Sequence, residues 1–417
     1  MNWRELADRG ITVFGGAVSG GLDSCTVTHW LSQRGVDVQA FTVDLGQPDE
    51  EYLSAVADRM LACGASRADV IDGREALAEA GLKVLQAQAR YEGGYWNTTG
   101  IARPVTVAAI VPELRERDIG VLFHGATGRG NDQVRFQIGA NMLAPGLQVY
   151  APWRDPEFVE AFPGRRQMLD YCEENALPIR PRSESRYSTD ANFLGLTHEA
   201  GDLEDVSIPP TFVEPGMGVF ASSAPDAAES VRVRWEEGRP VAIGGRGMGL
   251  AEIIAEANNL GGRHGVGIGI HTVENRFVGV KSRGIYESPG MELLGRCYEY
   301  LLQMVLDRRA RLLYEHLSAT ISTQIYEGYW FDVATTSALA ALEPMTRLAT
   351  GEITVGLYKG AVSFESAGDV PHSLYTDDSS MEAEGDYDHL DAEGFLRVHG
   401  VAAKNYGSRQ FPLAGRR

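Results

Sequence analysis

An apolar run from Ile11 to Val18 stops abruptly at Ser19-Gly20-Gly21-Leu22-Asp23-Ser24. Apolar residues then return at helical spacing through Val27, Trp30 and Leu31 until Gly35. A short, continuous apolar run reads as a strand buried on both faces, and the change of period reads as strand, tight loop, helix. The unit recurs. Val36 to Val43 is a second strand closed by Gly46 and Pro48, and Glu50 to Cys63 is a helix stopped by Gly64. Val70-Ile71 is a short strand. Ile119 to Phe123 is another, running into His124-Gly125-Ala126-Thr127-Gly128, and Leu147 to Ala151 is the last. Such alternation predicts an α/β fold with a doubly wound parallel sheet over residues 1–178. Ligands of these sheets lie at the carboxyl ends of the strands, where both Gly-rich loops fall.

Around Pro178 to Arg182 the alternation breaks, and the domain boundary is placed there. Residues 179–390 read as a second, α+β domain and 391–417 as a C-terminal tail. The second part has a Pro-rich connection (Pro209, Pro210, Pro215), a helix near Ala251 to Asn259 and a long amphipathic helix from Met291 to Leu313. Ile353 to Leu357 and Ala361 to Phe364 form a hairpin turning at Lys359-Gly360, and the acidic stretch Asp377 to Asp388 reads as a solvated loop.

Composition narrows the partners. At 417 residues, 44% hydrophobic and 23% charged, the chain has the make-up of an ordinary soluble globular protein with ample core. A net charge of −19 repels nucleic-acid phosphates, and the basic end Lys404, Arg409, Arg416, Arg417 is short, so no nucleic-acid partner is expected. Cys25, Cys63, Cys172 and Cys297 are scattered with no Cys-x-x-Cys pair, which fits reduced thiols in a cytoplasmic protein rather than zinc or redox chemistry. Met1 to Gly10 lacks the apolar segment of a signal peptide, and no run of about 18 apolar residues could span a membrane.

The first loop carries the chemistry. Gly20 and Gly21 let the backbone turn tightly and point N–H groups outward, while Ser19, Ser24 and the following helix N-terminus add donors and positive dipole. Together they make a pyrophosphate cradle. Asp23 beside phosphate calls for an intervening Mg²⁺. The rival is a plain capping turn with Ser24 or Asp23 as N-cap. The hexapeptide resembles the signature of the N-type ATP pyrophosphatases, which cleave ATP to AMP and pyrophosphate. A tRNA-thiolating member would want a basic face and paired cysteines, and both are missing here.

Later blocks narrow the resemblance to the argininosuccinate synthase family. They are His124-Gly125-Ala126-Thr127-Gly128-Arg129-Gly130-Asn131-Asp132-Gln133-Val134-Arg135-Phe136, Tyr187 to Asn192 with His198 to Glu204, Gly262-Arg263-His264-Gly265, and Val273 to Phe277 with Lys281 to Glu287. The resemblance implies a nucleotide-binding first domain, a second synthetase and oligomerisation domain, and a homotetramer. It implies that ATP adenylates the ureido oxygen of citrulline and that the amine of aspartate then displaces AMP. ATP contacts are implied at Ala17, Val18, Ser19, Gly20, Gly21, Leu22, Asp23, Ser24, Cys25, Val43, Gly125, Thr127, Asp132 and Asp190. Aspartate contacts are implied at Thr127, Asn131 and Asp132. Citrulline contacts are implied at Tyr95, Asn131, Arg135, Ser188, Thr197, Glu199, Glu274 and Tyr286. Asp23, Ser24 and Asp132 are the expected catalytic residues, and Asp23 the expected Mg²⁺ ligand.

Each residue has a structural rival. Tyr95 and Trp96 alone would read as core aromatics, Glu274 near Arg276 and Lys281 as half of a surface ion pair, and His124 and His264 as satisfied structural histidines. Five positions depart from the family pattern. Val43-Asp44 stands for Ala-Asn near the adenine, Gly100 for a side chain that meets citrulline, Cys25 for a hydroxyl in the loop, and Arg129 for lysine. An edited acceptor pocket on intact phosphate chemistry is what a paralogue for another ureido compound would show. A nucleotide-binding regulator without turnover is the non-enzymatic alternative.

Overall fold

The computed structural model describes residues 2–48, 53–179, 186–382 and 389–410. The five expected strands of the first part are β1 (Val13–Ala17), β2 (Asp37–Asp44), β3 (Arg67–Asp72), β4 (Val121–His124) and β5 (Gln148–Tyr150). They form one sheet in the order β3-β2-β1-β4-β5, parallel throughout. Ala17 lies level with Phe41 on one side and His124 on the other, so β1 and β4 finish in line at their carboxyl ends while β2 continues to Asp44. The order reverses at β1, making its carboxyl end the switch point where such sheets bind ligands. Phe14, Phe41, Leu122 and Phe123 are buried under the flanking helices.

The second part contributes β6 (Ser188–Asn192), β7 (Gly195–Glu199), β8 (Glu229–Glu236), β9 (Arg239–Ile243), β10 (Arg246–Gly247), β11 (Ile268–Asn275), β12 (Lys281–Glu287), β13 (Gly351–Tyr358) and β14 (Ala361–Gly368). They form two antiparallel sheets, β10-β9-β8-β13-β14 and β11-β12-β7-β6. The β13–β14 hairpin turns at Lys359 (φ 45°) and Gly360 (φ 84°), the two left-handed residues a tight hairpin wants.

One expectation needs correcting. Met291 to Leu313 is not a single helix: Pro289–Val305 ends, Leu306 is extended, and a new helix runs Arg308–Glu327. Asp307 causes the break, because its Oδ1 accepts from the Ala310 N–H at 2.8 Å and caps the second helix. The first of these helices is a core element of this chain, with Met291, Leu294, Tyr298 and Leu302 fully buried.

Residues Met1–Pro371 make one compact unit and His372–Arg417 a second. The second holds the helices Asp391–His399 and Val401–Gln410. Of the expected acidic loop, Asp377–Ser379 forms a short 3₁₀ turn and 383–388 lie outside the described residues, as does the basic end beyond 410.

Candidate active site

The loop after β1 leads into the helix Leu22–Ser32. Gly20 takes φ +71°, a left-handed conformation that costs a side chain about 1–2 kcal/mol. Ser24 is not left as a cap: its Oγ accepts from the Ser19 N–H at 3.0 Å and closes the loop on itself. Cys25 lies beneath, with its thiol donating to the Gly20 carbonyl at 3.7 Å. The Trp153 indole donates to Asp23 Oδ1 at 3.1 Å, and burial nevertheless raises the Asp23 pKa. The second Gly-rich loop abuts the first. A Cβ built on Gly125 would stand 3.0 Å from that of Asp23, so any side chain there would press on the first loop.

A cleft of about 340 Å³ opens over this junction. Ser19 to Asp23 floor it, Thr42, Leu45 and Gln47 line one side, and Ser188 to Asn192 of β6 another. Val43 does not line it. Strand alternation turns its side chain into the core against Gly73, and its carbonyl accepts from Gln47 Nε2 at 2.9 Å. The Val43 methyls thus face the core rather than the cleft, and the Asp44 charge is paired with Arg74 at 2.9 Å.

The residues expected to meet citrulline gather on another element. The registers Ser188–Glu199, Asp190–Thr197, Thr197–Tyr286, Glu199–Gly284, Thr272–Gly284 and Glu274–Ser282 place Ser188, Asp190, Thr197, Glu199, Tyr286 and Glu274 on one face of the β11-β12-β7-β6 sheet. Gly284 is part of the arrangement, since a Cβ there would lie 2.2 Å from the Tyr286 hydroxyl, whose ring crosses the strand at that point. Glu274 is no surface ion pair. It is 5% exposed and accepts hydrogen bonds from the Tyr286 and Tyr326 hydroxyls. Burial, aided by repulsion from Glu199, lifts its pKa to about 7. Burial also raises Glu199, which faces Arg276 at 3.7 Å. Tyr95 stacks on Tyr286 with ring centres 4.0 Å apart, and its oxygen accepts from the Thr99 and Gly100 N–H groups at 3.0 and 3.2 Å. Trp96, by contrast, is a core aromatic.

Between the cleft and this face runs a chain of charges. Arg103 donates to Asp132 Oδ2 at 2.8 Å and also to Asp190. Arg135 donates to Asp132 Oδ1 at 2.8 Å and grips the Tyr326 carbonyl through Nε and Nη2. Burial alone would push Asp132 up, but the two guanidiniums outweigh it and hold the carboxyl at about 2. Asn131 is buried and accepts from the Phe277 N–H at 3.1 Å, which ties the second loop to the end of the β11–β12 hairpin. Thr127 stands exposed on the same loop. His124 stacks on Phe136 and His264 bonds Glu229 at 2.8 Å, both in structural settings.

With the geometry in place, the comparisons are direct. Residues 15–178 match the arginosuccinate synthase N-terminal HUP domain, and 187–406 match the arginosuccinate synthase C-terminal domain. An argininosuccinate synthase of Rhodopirellula baltica is 39% identical over 94% of this chain and 97% of its own length. The enzyme of Nitratidesulfovibrio vulgaris is 38% identical over 94% and 97%. The chloroplastic argininosuccinate synthase of Arabidopsis thaliana is 38% identical over 93% of this chain and 78% of its own. The chain belongs to the argininosuccinate synthase family.

Several residues around this candidate site carried little or no signal in the sequence. Arg103 is the sole charge among Gly100 to Pro112 of the helix Thr98–Glu116, and a lone cation in an apolar helix was an available signal. Arg59 on the helix Leu53–Ala62, Arg165 at the start of the helix Arg165–Glu174, and Tyr326 had none. They reach the site only through long-range packing. Gly100, the departure nearest the acceptor face, is crowded: a Cβ there would lie 3.3 Å from Asn97 Oδ1 and 3.4 Å from the Ile325 carbonyl.

Proposed function

We infer that this chain condenses citrulline with aspartate to give argininosuccinate, AMP and pyrophosphate, as an AMP-forming carbon–nitrogen ligase of arginine biosynthesis. The observation that carries the reading is the meeting of two Gly-rich loops at the carboxyl edge of the parallel sheet, facing an antiparallel sheet whose near face holds Ser188, Asp190, Thr197, Glu199, Glu274 and Tyr286. The first loop takes the triphosphate against backbone N–H groups and the helix N-terminus. Asp23 fits a Mg²⁺ carried in with ATP, because that ion is commonly held by one or two carboxylates together with phosphate oxygens. The ion would neutralise phosphate charge.

Citrulline lies over Tyr95, Tyr286 and Glu274, with its ammonium toward the carboxylates. Its ureido oxygen attacks the α-phosphorus, the bond to the bridging oxygen breaks, and pyrophosphate leaves with the electron pair. The aspartate amine then attacks the ureido carbon and AMP departs. Asp132 stays ionised between Arg103 and Arg135, so it offers a fixed anion to the aspartate ammonium beside Thr127 and Asn131. No side chain need become a nucleophile, because alignment and charge stabilisation carry the rate.

Incubating the protein with ATP, citrulline and aspartate, then omitting each in turn, tests the reading. Argininosuccinate, AMP and pyrophosphate in equal amounts are expected from the full set alone. AMP release driven by a different ureido compound, with none from citrulline, overturns it. We also propose a homotetramer located in the cytoplasm, to be checked by light scattering and cell fractionation. Among the described residues no helix is long and apolar enough to cross a membrane.

A further inference from the structure

We propose that Arg59 and Arg165 form a two-sided clamp on the β- and γ-phosphates of ATP and receive the charge that develops on the departing pyrophosphate. The proposal rests on the adenylating reading above. Its origin is a shortfall in the loop itself. Ser19 to Ser24 contains no cation, and its one charged side chain is the carboxylate of Asp23. The Ser19 N–H is already committed to Ser24 Oγ. Backbone dipoles and an ion at Asp23 would then be the whole counter-charge to a group of several negative charges, unless side-chain cations arrive from elsewhere in the fold.

Three arginines line the cleft: Arg59, Arg103 and Arg165. Arg103 is spent on Asp132 and Asp190. Arg59 projects from the helix Leu53–Ala62 onto the turn, where Nη1 donates to the Gly20 carbonyl at 2.9 Å. That bond fixes the guanidinium against the loop, and a Cβ at Gly20 would lie only 2.5 Å from the same nitrogen. Arg165 stands at the first turn of the helix Arg165–Glu174, exposed along the cleft and close enough to Asp23 to act on its charge. The two therefore address opposite ends of one loop, Gly20 and Asp23. As the ureido oxygen bonds to the α-phosphorus and the bond to the bridging oxygen breaks, negative charge grows on the β-phosphate. Guanidiniums match phosphate oxygens in pairs, and cations placed at a leaving group act where the barrier is set.

The test uses the full chain and inorganic pyrophosphate as probe. Arg59→Met, Arg165→Met and the lysine counterparts are compared with wild type for kcat, for product inhibition by pyrophosphate and AMP, and for pyrophosphate binding by calorimetry. Each Met variant is expected to weaken pyrophosphate about tenfold or more while AMP inhibition moves less than about twofold. Lysine at 165 is expected to restore part of the loss. A merely structural role would move both products alike. Arg165 holds no hydrogen bond within the loop, so its variant remains decisive even where loss of the Gly20 contact unfolds Arg59→Met. Unchanged pyrophosphate affinity in Arg165→Met overturns the clamp. Absence of AMP from wild type instead defeats the adenylating reading, and calorimetry still decides the clamp.

Discussion

Glu274→Gln is expected to change how stability depends on pH, with a sign and size set by the burial of the carboxyl it replaces. The Glu274 carboxyl has a pKa of about 7 when folded, against a usual 4.5. Unfolded chain therefore gives up this proton at lower pH than folded chain does. Between those two values the native state holds a proton that the unfolded state lacks, so stability falls as pH rises, and the loss is complete above about pH 7. A shift of 2.5 units corresponds to a ceiling of about 3.4 kcal/mol, of which about 2.5 kcal/mol falls between pH 5 and pH 8. Arg135, Arg276, Glu199 and Tyr326 face the group and are already included in its pKa. The assay is guanidinium unfolding of wild type and variant at pH 5, 6, 7 and 8. The wild-type stability minus that of the variant should drop by about 2–3 kcal/mol across the range. Other titrating groups cancel in that difference, apart from the easing of Glu199 once its neighbour is neutral. Parallel pH profiles for the two proteins would refute the reasoning. In wild type, citrulline should also bind less well below pH 7, as the carboxylate that meets its ammonium is neutralised.

Arg103→Met leaves Asp132 and Asp190 facing one another without their shared cation. A loss of about 3 kcal/mol, several degrees in Tm by calorimetry, and abolition of AMP formation are expected; a variant that keeps wild-type Tm would deny the network its role. Gly100→Ser places a side chain at a crowded helical position, where its Cβ meets the Ile325 carbonyl at 3.4 Å. Stability should change by no more than about 1 kcal/mol, and the KM for citrulline should fall up to about tenfold with that for ATP unchanged, both read from steady-state kinetics. A serine that leaves the citrulline KM unaltered would show that this position does not bear on the acceptor.

The parallel sheet and its two Gly-rich loops were readable from the chain because their signals are local. An apolar run of strand length, a glycine pair and a change of period all lie within some twenty residues. The hairpin at Lys359-Gly360 was readable for the same reason, since two adjacent residues specify its turn. The helix break was missed because amphipathic spacing continues through Leu306–Asp307, while one carboxylate cap overrides it. Val43 was assigned by its place in a motif, and strand alternation turned it away from the cleft.

Local order along the chain thus settled where the two Gly-rich loops would fall, because tight turns and helix starts are properties of neighbouring residues. It could not settle which charges would stand around those loops. Arg103 meets Asp190 across 87 positions and Arg135 meets the Tyr326 carbonyl across 191. Glu274 accepts hydrogen bonds from two tyrosines of different elements. Burial and charge pairing are sums over everything nearby in space, and only the packed fold decides what is nearby.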